Sequence, residues 1–226
     1  MTTAKELFVG GSLSYDPSRI YFYGNSGGGI MGATYTALAP RIERSVLGVG
    51  GVNLPLLMYR SLNFAAFYGL LQLLLKDPVD VQKFLLVSQT VIDRFEPATY
   101  APHMIKDLYP NSPPSRKVLL QIALGDPNVC TLSGELLARY AGVRLLEPIV
   151  RPVYGLDSAA APHDGSAMTV FDFGIDPLPT RAEIPAVDNG VHNAIRLLPA
   201  ANDQIDAFLR PGGLIESTCD GVCDPE

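Results

Sequence analysis

The sequence predicts an α/β protein built on a parallel sheet, and two stretches carry that expectation. RIYFYGNSGGGIMGATYTALAP, from Arg19 to Pro40, passes from strand character through a glycine turn into helical character, and RIERSVLGVGG then returns as a strand. Strand, helix and strand in that order require a crossover, and hence parallel pairing. KVLLQIALGD, Lys117 to Asp126, adds the strongest strand signal in the chain, closed by Asp126-Pro127-Asn128 and followed by a helix.

The elements follow in order. FVGGS near the N-terminus is expected to be a turn ahead of the first strand, which covers residues 19–24. A helix runs from about Gly28 to Leu38 and stops before Pro40, and SVLGV forms the next strand. The block from Val52 to about Lys117 lacks strand signals. Its clearest helix starts at Asp77-Pro78, with Asp as cap and Pro in the first turn; Val81, Phe84, Leu85, Val91, Ile92 and Phe95 recur at helical spacing until Glu96-Pro97. NSPPSRK is a loop. LSGELLARYAG is a helix ended by Gly142, VRLL a short strand, and SAMTVFDFG a last strand. A turn-rich loop carrying DNGVHN leads to a closing helix over roughly 200–209, stopped by Pro211-Gly212-Gly213.

Composition narrows the function. With 47% hydrophobic and 18% charged residues the chain is a folded globular protein, and its net charge of −6, with Arg and Lys scattered singly, gives nucleic-acid binding no electrostatic support. The longest apolar stretch, Val52 to Leu75, is interrupted by Arg60, and its densest part, FAAFYGLLQLLL, is too short to span a bilayer, so cap or core helices are expected there. MTTAKELFVGG lacks the layout of a secretory signal. Cys219 and Cys223 in CDGVCDPE are spaced for a small loop disulfide, which favours an oxidising, extracytoplasmic setting over two exposed thiols.

The glycine turn admits two chemical readings. Gly27, Gly29 and Gly32 satisfy G-x-G-x-x-G after a strand, the pattern that cradles a dinucleotide pyrophosphate. That pattern wants an acid at the end of the next strand. The strand ends LGVGGVN instead, and Glu43 precedes it. Gly24-Asn25-Ser26-Gly27-Gly28 equally satisfies G-x-S-x-G, in which a sharp strand-to-helix turn lifts a nucleophilic Ser26 clear of the backbone. Side chains at Gly24 or Gly28 are expected to collide across such a turn, and the Gly27 N–H would face a developing oxyanion.

A nucleophilic serine needs a base and an orienting acid, in the chain order Ser, Asp or Glu, His. Asp126 ends the best strand, where its side chain would project at the carboxyl edge; as a bare residue it could equally be a turn residue before Pro127. Among the three histidines, His103 lies in the helical block, His163 in the turn-like APHDG, and His192 in the loop between last strand and closing helix. His192 fits the order.

GNSGGGIMGA, ALGDPNV and DNGVHN, in this sequence, resemble the nucleophile elbow, acid loop and histidine loop of the α/β-hydrolase fold, more closely the later half of bacterial hydrolases of esterase or lipase type, often secreted. Asp126-Pro127-Asn128-Val129 is similar to the D-x-x-V that often carries the family's acid. The resemblance runs from Arg19 to about Arg210. It implies a partial hydrolase core over residues 1–51 and 117–226, with 52–116 as a helical cap over the site. It implies a triad of Ser26, Asp126 and His192, Gly27 as an oxyanion donor, a small ester substrate, and no metal or organic cofactor. Phe64, Phe67, Leu70 and Leu71 hint at an apolar acyl group, although core packing accounts for them equally.

The family places several strands before the elbow strand, whereas 18 residues precede Arg19 here. The chain is therefore expected to be a fragment, or a reduced form whose first strand lies at an open sheet edge and pairs with another copy or a missing half. A catalytically impaired binding module and a dinucleotide-binding protein are the alternatives to an active hydrolase.

Overall fold

The computed structural model describes residues 16, 19–179 and 184–224. The expected FVGGS turn lies outside them. Among the described residues the sheet has six strands: β1 Phe22–Asn25, β2 Arg44–Gly48, β3 Lys117–Ala123, β4 Arg144–Leu146, β5 Ser158–Ala159 and β6 Ala167–Phe171. Their order is β1-β2-β3-β6-β4-β5, and every pairing is parallel. With helices on both faces this is an α/β fold on a parallel sheet, as the sequence predicts. β1 occupies one edge and pairs with β2 alone among the described residues. β5, two residues long, has no signal in the sequence.

The helices are α1 Gly27–Leu38, α2 Leu54–Arg60, α3 Ala65–Leu75, α4 Pro78–Ile92, α5 Pro97–Tyr100, α6 Thr131–Ala141, α7 Val191–Leu197 and α8 Pro199–Leu209. β3 is buried over six of its seven residues because both faces of the sheet are covered. Alternate residues divide between the faces. Leu47, Leu120, Ile122 and Met168 pack with Leu137 and Ala138 of α6. Val46 and Leu119 pack with Phe208 of α8 and with Ile215. Gln121 ties the second layer down, donating at 3.0 Å to both the Ala201 carbonyl and the Gln204 side chain within α8.

Residues 52–116 hold α2 to α5 and no strand. α4 begins as expected, with Asp77 accepting from the Val79 N–H at 2.8 Å. Of the six apolar positions at helical spacing, Val81, Leu85 and Ile92 are buried, whereas Phe84, Val91 and Phe95 are exposed. The block joins the core where Val52, Ala101 and Met104 are buried with Leu47, Val118 and Leu137. Glu96, fully buried, accepts from the N–H groups of Asn53 and Leu54 at 2.8 Å each and of Ala98 at 3.2 Å. It thereby holds the start of α2 against the start of α5. The Leu62 N–H donates to the Pro127 carbonyl at 3.0 Å, and Leu57 and Phe64 pack on Val129 and Cys130. No helix among the described residues is long and apolar enough to cross a membrane.

At the other end of the chain, Cys219 and Cys223 are joined by a disulfide, and Cys130 is a buried free thiol. The disulfide loop caps β6: the Asp172 N–H donates to the Cys223 carbonyl at 2.8 Å.

Candidate active site

The site begins with a backbone irregularity. Ser26, between β1 and α1, has φ 55° and ψ −121°, a conformation costly for a residue with a Cβ. The turn is held by two hydrogen bonds: the Ser26 N–H donates to the Gly48 carbonyl at 2.9 Å, and its own carbonyl accepts from the Ile30 N–H at 2.8 Å. A Cβ at Gly24 would meet the Gly28 carbonyl oxygen at 2.3 Å, so this glycine is required by the close approach of strand and helix. The matching expectation for Gly28 is corrected: a Cβ there meets nothing within 4 Å, because the position faces outward from the first turn of α1. Gly29 and Gly32, two of the three positions in the dinucleotide pattern, are accounted for by packing. A Cβ on the first would meet the Gly48 carbonyl at 2.5 Å and one on the second the Phe22 ring at 2.5 Å.

Three side chains converge at the carboxyl ends of the strands. His192 Nε2 lies 2.9 Å from Ser26 Oγ, and His192 Nδ1 lies 2.6 Å from Asp126 Oδ2. Asp126 and His192 are 3% and 6% exposed, whereas Ser26 is half-buried and Gly27 exposed. The carboxylate and imidazole are thus shielded, and the Ser26 residue is less so.

Each partner is positioned from behind. Asp126 follows β3 and uses its second oxygen, Oδ1, to accept from the N–H groups of Asn128 at 2.7 Å and Val129 at 2.9 Å. Thr131 Oγ1 accepts from the Gly125 N–H at 3.0 Å, bracing the same loop. His192 does not lie in a loop, as its surroundings suggested, but in the first turn of α7. Two short side-chain turns make that helix start: Asp188 accepts from the Gly190 N–H at 2.9 Å and Asn189 from the Val191 N–H at 3.2 Å, while Gly190 takes the left-handed conformation at φ 79°. Asn189 also donates to the Gly125 carbonyl at 2.9 Å, joining the histidine segment to the acid loop. Sequence reasoning passed over Asn189 and Thr131; the N-G pair inside DNGVHN was the available signal for the first.

The other histidines are engaged elsewhere, His103 stacked on Tyr109 and His163 bridged through its backbone to Ile215. Of the apolar residues linked to an acyl group, Leu71 and Phe64 are taken up by packing, and Phe67 and Leu70 are exposed. A cavity of about 220 Å³ beside the acid is lined by Asp126, Cys130 and Thr131 together with Arg60 from the helical block.

Chemically, a hydroxyl bonded to an imidazole that is bonded to a carboxylate can be deprotonated as it attacks an electrophile. Gly27, the first residue of α1, has an N–H that the helix does not use, beside that hydroxyl.

No family model matches the chain, and no curated protein does. Among solved structures it is similar to a puromycin-hydrolyzing peptidase of Mycobacterium tuberculosis, at 15% identity and TM-score 0.45, over 76% of this chain and 20% of that one. An enol-lactonase of Burkholderia xenovorans LB400 aligns at 16% identity and TM-score 0.31, over 63% of this chain and 57% of that one. A hydrolase of Pseudomonas aeruginosa PA01 aligns at 20% identity and TM-score 0.32, over 73% and 62%. The chain spans less than two thirds of the length of each. At these scores no chemistry is carried over from them.

Proposed function

We propose that this chain, α/β-hydrolase in fold, is a serine hydrolase of carboxylic esters. The observation that carries the reading is the unbroken hydrogen-bonded line from Ser26 through His192 to Asp126, starting from a serine held at positive φ on a strand-to-helix turn.

In the proposed reaction, Ser26 Oγ attacks the ester carbonyl carbon while His192 Nε2 takes its proton. Asp126 holds the Nδ1 proton and stabilises the imidazolium. The Gly27 N–H donates to the tetrahedral oxyanion. Collapse expels the alcohol, which leaves with the proton from His192, and an acyl-Ser26 ester remains. Water repeats the sequence, releasing the carboxylic acid and restoring the serine. All bonds are made and broken by these side chains and the two substrates, ester and water.

Residues 52–116 serve in this reading as a cap. Support comes from their contacts with the acid loop through Leu62, Leu57 and Phe64, and from Arg60 beside Asp126. The Cys219–Cys223 disulfide supports an oxidising compartment.

The test is turnover of p-nitrophenyl esters from acetate to laurate, with Ser26→Ala as reference. Hydrolysis abolished by the substitution, and rising with acyl length, is expected. Rates equal to those of the Ser26→Ala protein would overturn the reading.

A further inference from the structure

The triad occupies the carboxyl ends of the strands, and the amino ends gather a different chemistry. Three strands start on a basic residue: Arg44 in β2, Lys117 in β3 and Arg144 in β4. Arg44 and Lys117 are register partners, and Arg144 is paired with Ala167 at the start of β6. Parallel pairing therefore turns residues scattered through the sequence into one cluster. Beside Lys117 and Arg144 opens a pocket of about 360 Å³ whose walls also include Arg116, His163 and Ser166, whereas the Arg44 guanidinium turns away to the carbonyls of Phe208 and Gly213. The seven residues of β3 put it roughly 20 Å from the triad, at about 3.3 Å per residue.

We propose that this pocket binds a phosphate group, carried on a small molecule or free.

The charge balance supports it. Arg116 is 5% exposed, and its guanidinium donates only to carbonyl oxygens, those of Ala39 at 2.6 Å and Ile42 at 2.9 Å, with Ala37 and Met104 at 3.4 Å. Those oxygens satisfy its N–H groups but carry partial charges, and it forms no ion pair among the described residues. Lys106 lies over Gly142 at the rim, so close that a methyl group there would come within 1.9 Å of its Nζ. His163 folds over Gly165 in the same manner on the far wall. A carboxylate at this cluster, Asp164, is paired with Lys117. That lysine holds the Asp164 carboxyl below the usual carboxylate range, and Arg44 and His163 act in the same direction. Arg116, Lys117 and Arg144 thus line a pocket that no carboxylate lines among the described residues, in a chain whose net charge is −6.

Phosphate matches this arrangement in charge and in shape. Its tetrahedral oxygens accept from donors that arrive on different sides, and Arg and Lys are the side chains best suited to supply them. At about 30 Å³ per water, the pocket also has room for an organic remainder.

Calorimetric titration of the full chain with inorganic phosphate and with glycerol phosphate, at constant ionic strength, tests the proposal. Saturable binding is expected, weakened at least about tenfold by Arg144→Glu, an exposed position that folding tolerates, and unaffected by Lys83→Ala on the exposed side of α4. Tighter binding of the ester would assign a phosphorylated small molecule, and equal binding the free ion. Absence of saturable heat with both ligands, or equal weakening by both substitutions, would overturn it.

Discussion

His192 and Asp126 are 66 positions apart in the sequence, yet Nδ1 of one lies 2.6 Å from Oδ2 of the other. The carboxylate's remaining oxygen is committed to two backbone N–H groups, so the acid cannot rotate without breaking them. Geometry at the acid therefore fixes which imidazole nitrogen faces Ser26. Asp126→Asn keeps the shape but presents an amide that can donate where the carboxylate only accepts, favouring the wrong tautomer. Its expected effect is a fall of about 10⁴-fold in esterase kcat with little change in the unfolding midpoint. A matching loss in both would assign Asp126 to the fold alone.

Asn189 supports the same geometry from the other side. Its side chain spans from Val191, at the start of α7, to the Gly125 carbonyl. Asn189→Ala removes both bonds and is expected to cost about 1 kcal/mol in urea unfolding. The readout specific to positioning is kcat, which should fall while KM for a short ester stays constant.

The two glycines flanking Ser26 should respond oppositely. Gly24→Ala forces a methyl group into the Gly28 carbonyl and is expected to destabilise by about 2 kcal/mol. Gly28→Ala meets open space within a helix and should be neutral or stabilising by up to about 1 kcal/mol. Equal losses in chemical denaturation would contradict the elbow as described.

Glu96 ties the helical block together internally. Glu96→Ala leaves the N–H groups of Asn53, Leu54 and Ala98 without their acceptor in a buried site. About 3 kcal/mol of destabilisation is expected. Hydrogen exchange should accelerate first at the start of α2 and α5, and acceleration centred on β3 would point to a general loss of packing instead.

Cys130 gives a pH-related expectation. Burial pushes its thiol upward, ahead of smaller opposing contributions from Ser133 and Arg60. A raised thiol pKa means little thiolate at neutral pH, so iodoacetamide should label native Cys130 far more slowly than the unfolded chain. Equal rates would place the thiol in solvent.

Legibility in the sequence varied with how local each cause is. The elbow was readable because Ser26 needs a backbone shape that Gly24 makes possible within two residues. Asp126 was readable because it ends a strongly apolar strand, and His192 because only three histidines compete for the place after the last strand. The start of α7 was missed, since two side-chain turns and one left-handed glycine build a helix where composition suggests loop. Glu96 was seen only as a helix terminator; its partners at Asn53 and Leu54 lie more than 40 residues away. The pairing of Arg44 with Lys117 was invisible for the same reason, because strand register alone makes them partners, and sheet order brings Arg144 to the same end two strands further on.

Activation of Ser26 as a nucleophile is read by intact-mass analysis after exposure to a fluorophosphonate probe. One adduct per chain, formed at neutral pH and lost in Ser26→Ala, is expected. Folded protein that forms no adduct, or an adduct that survives in Ser26→Ala, would contradict it.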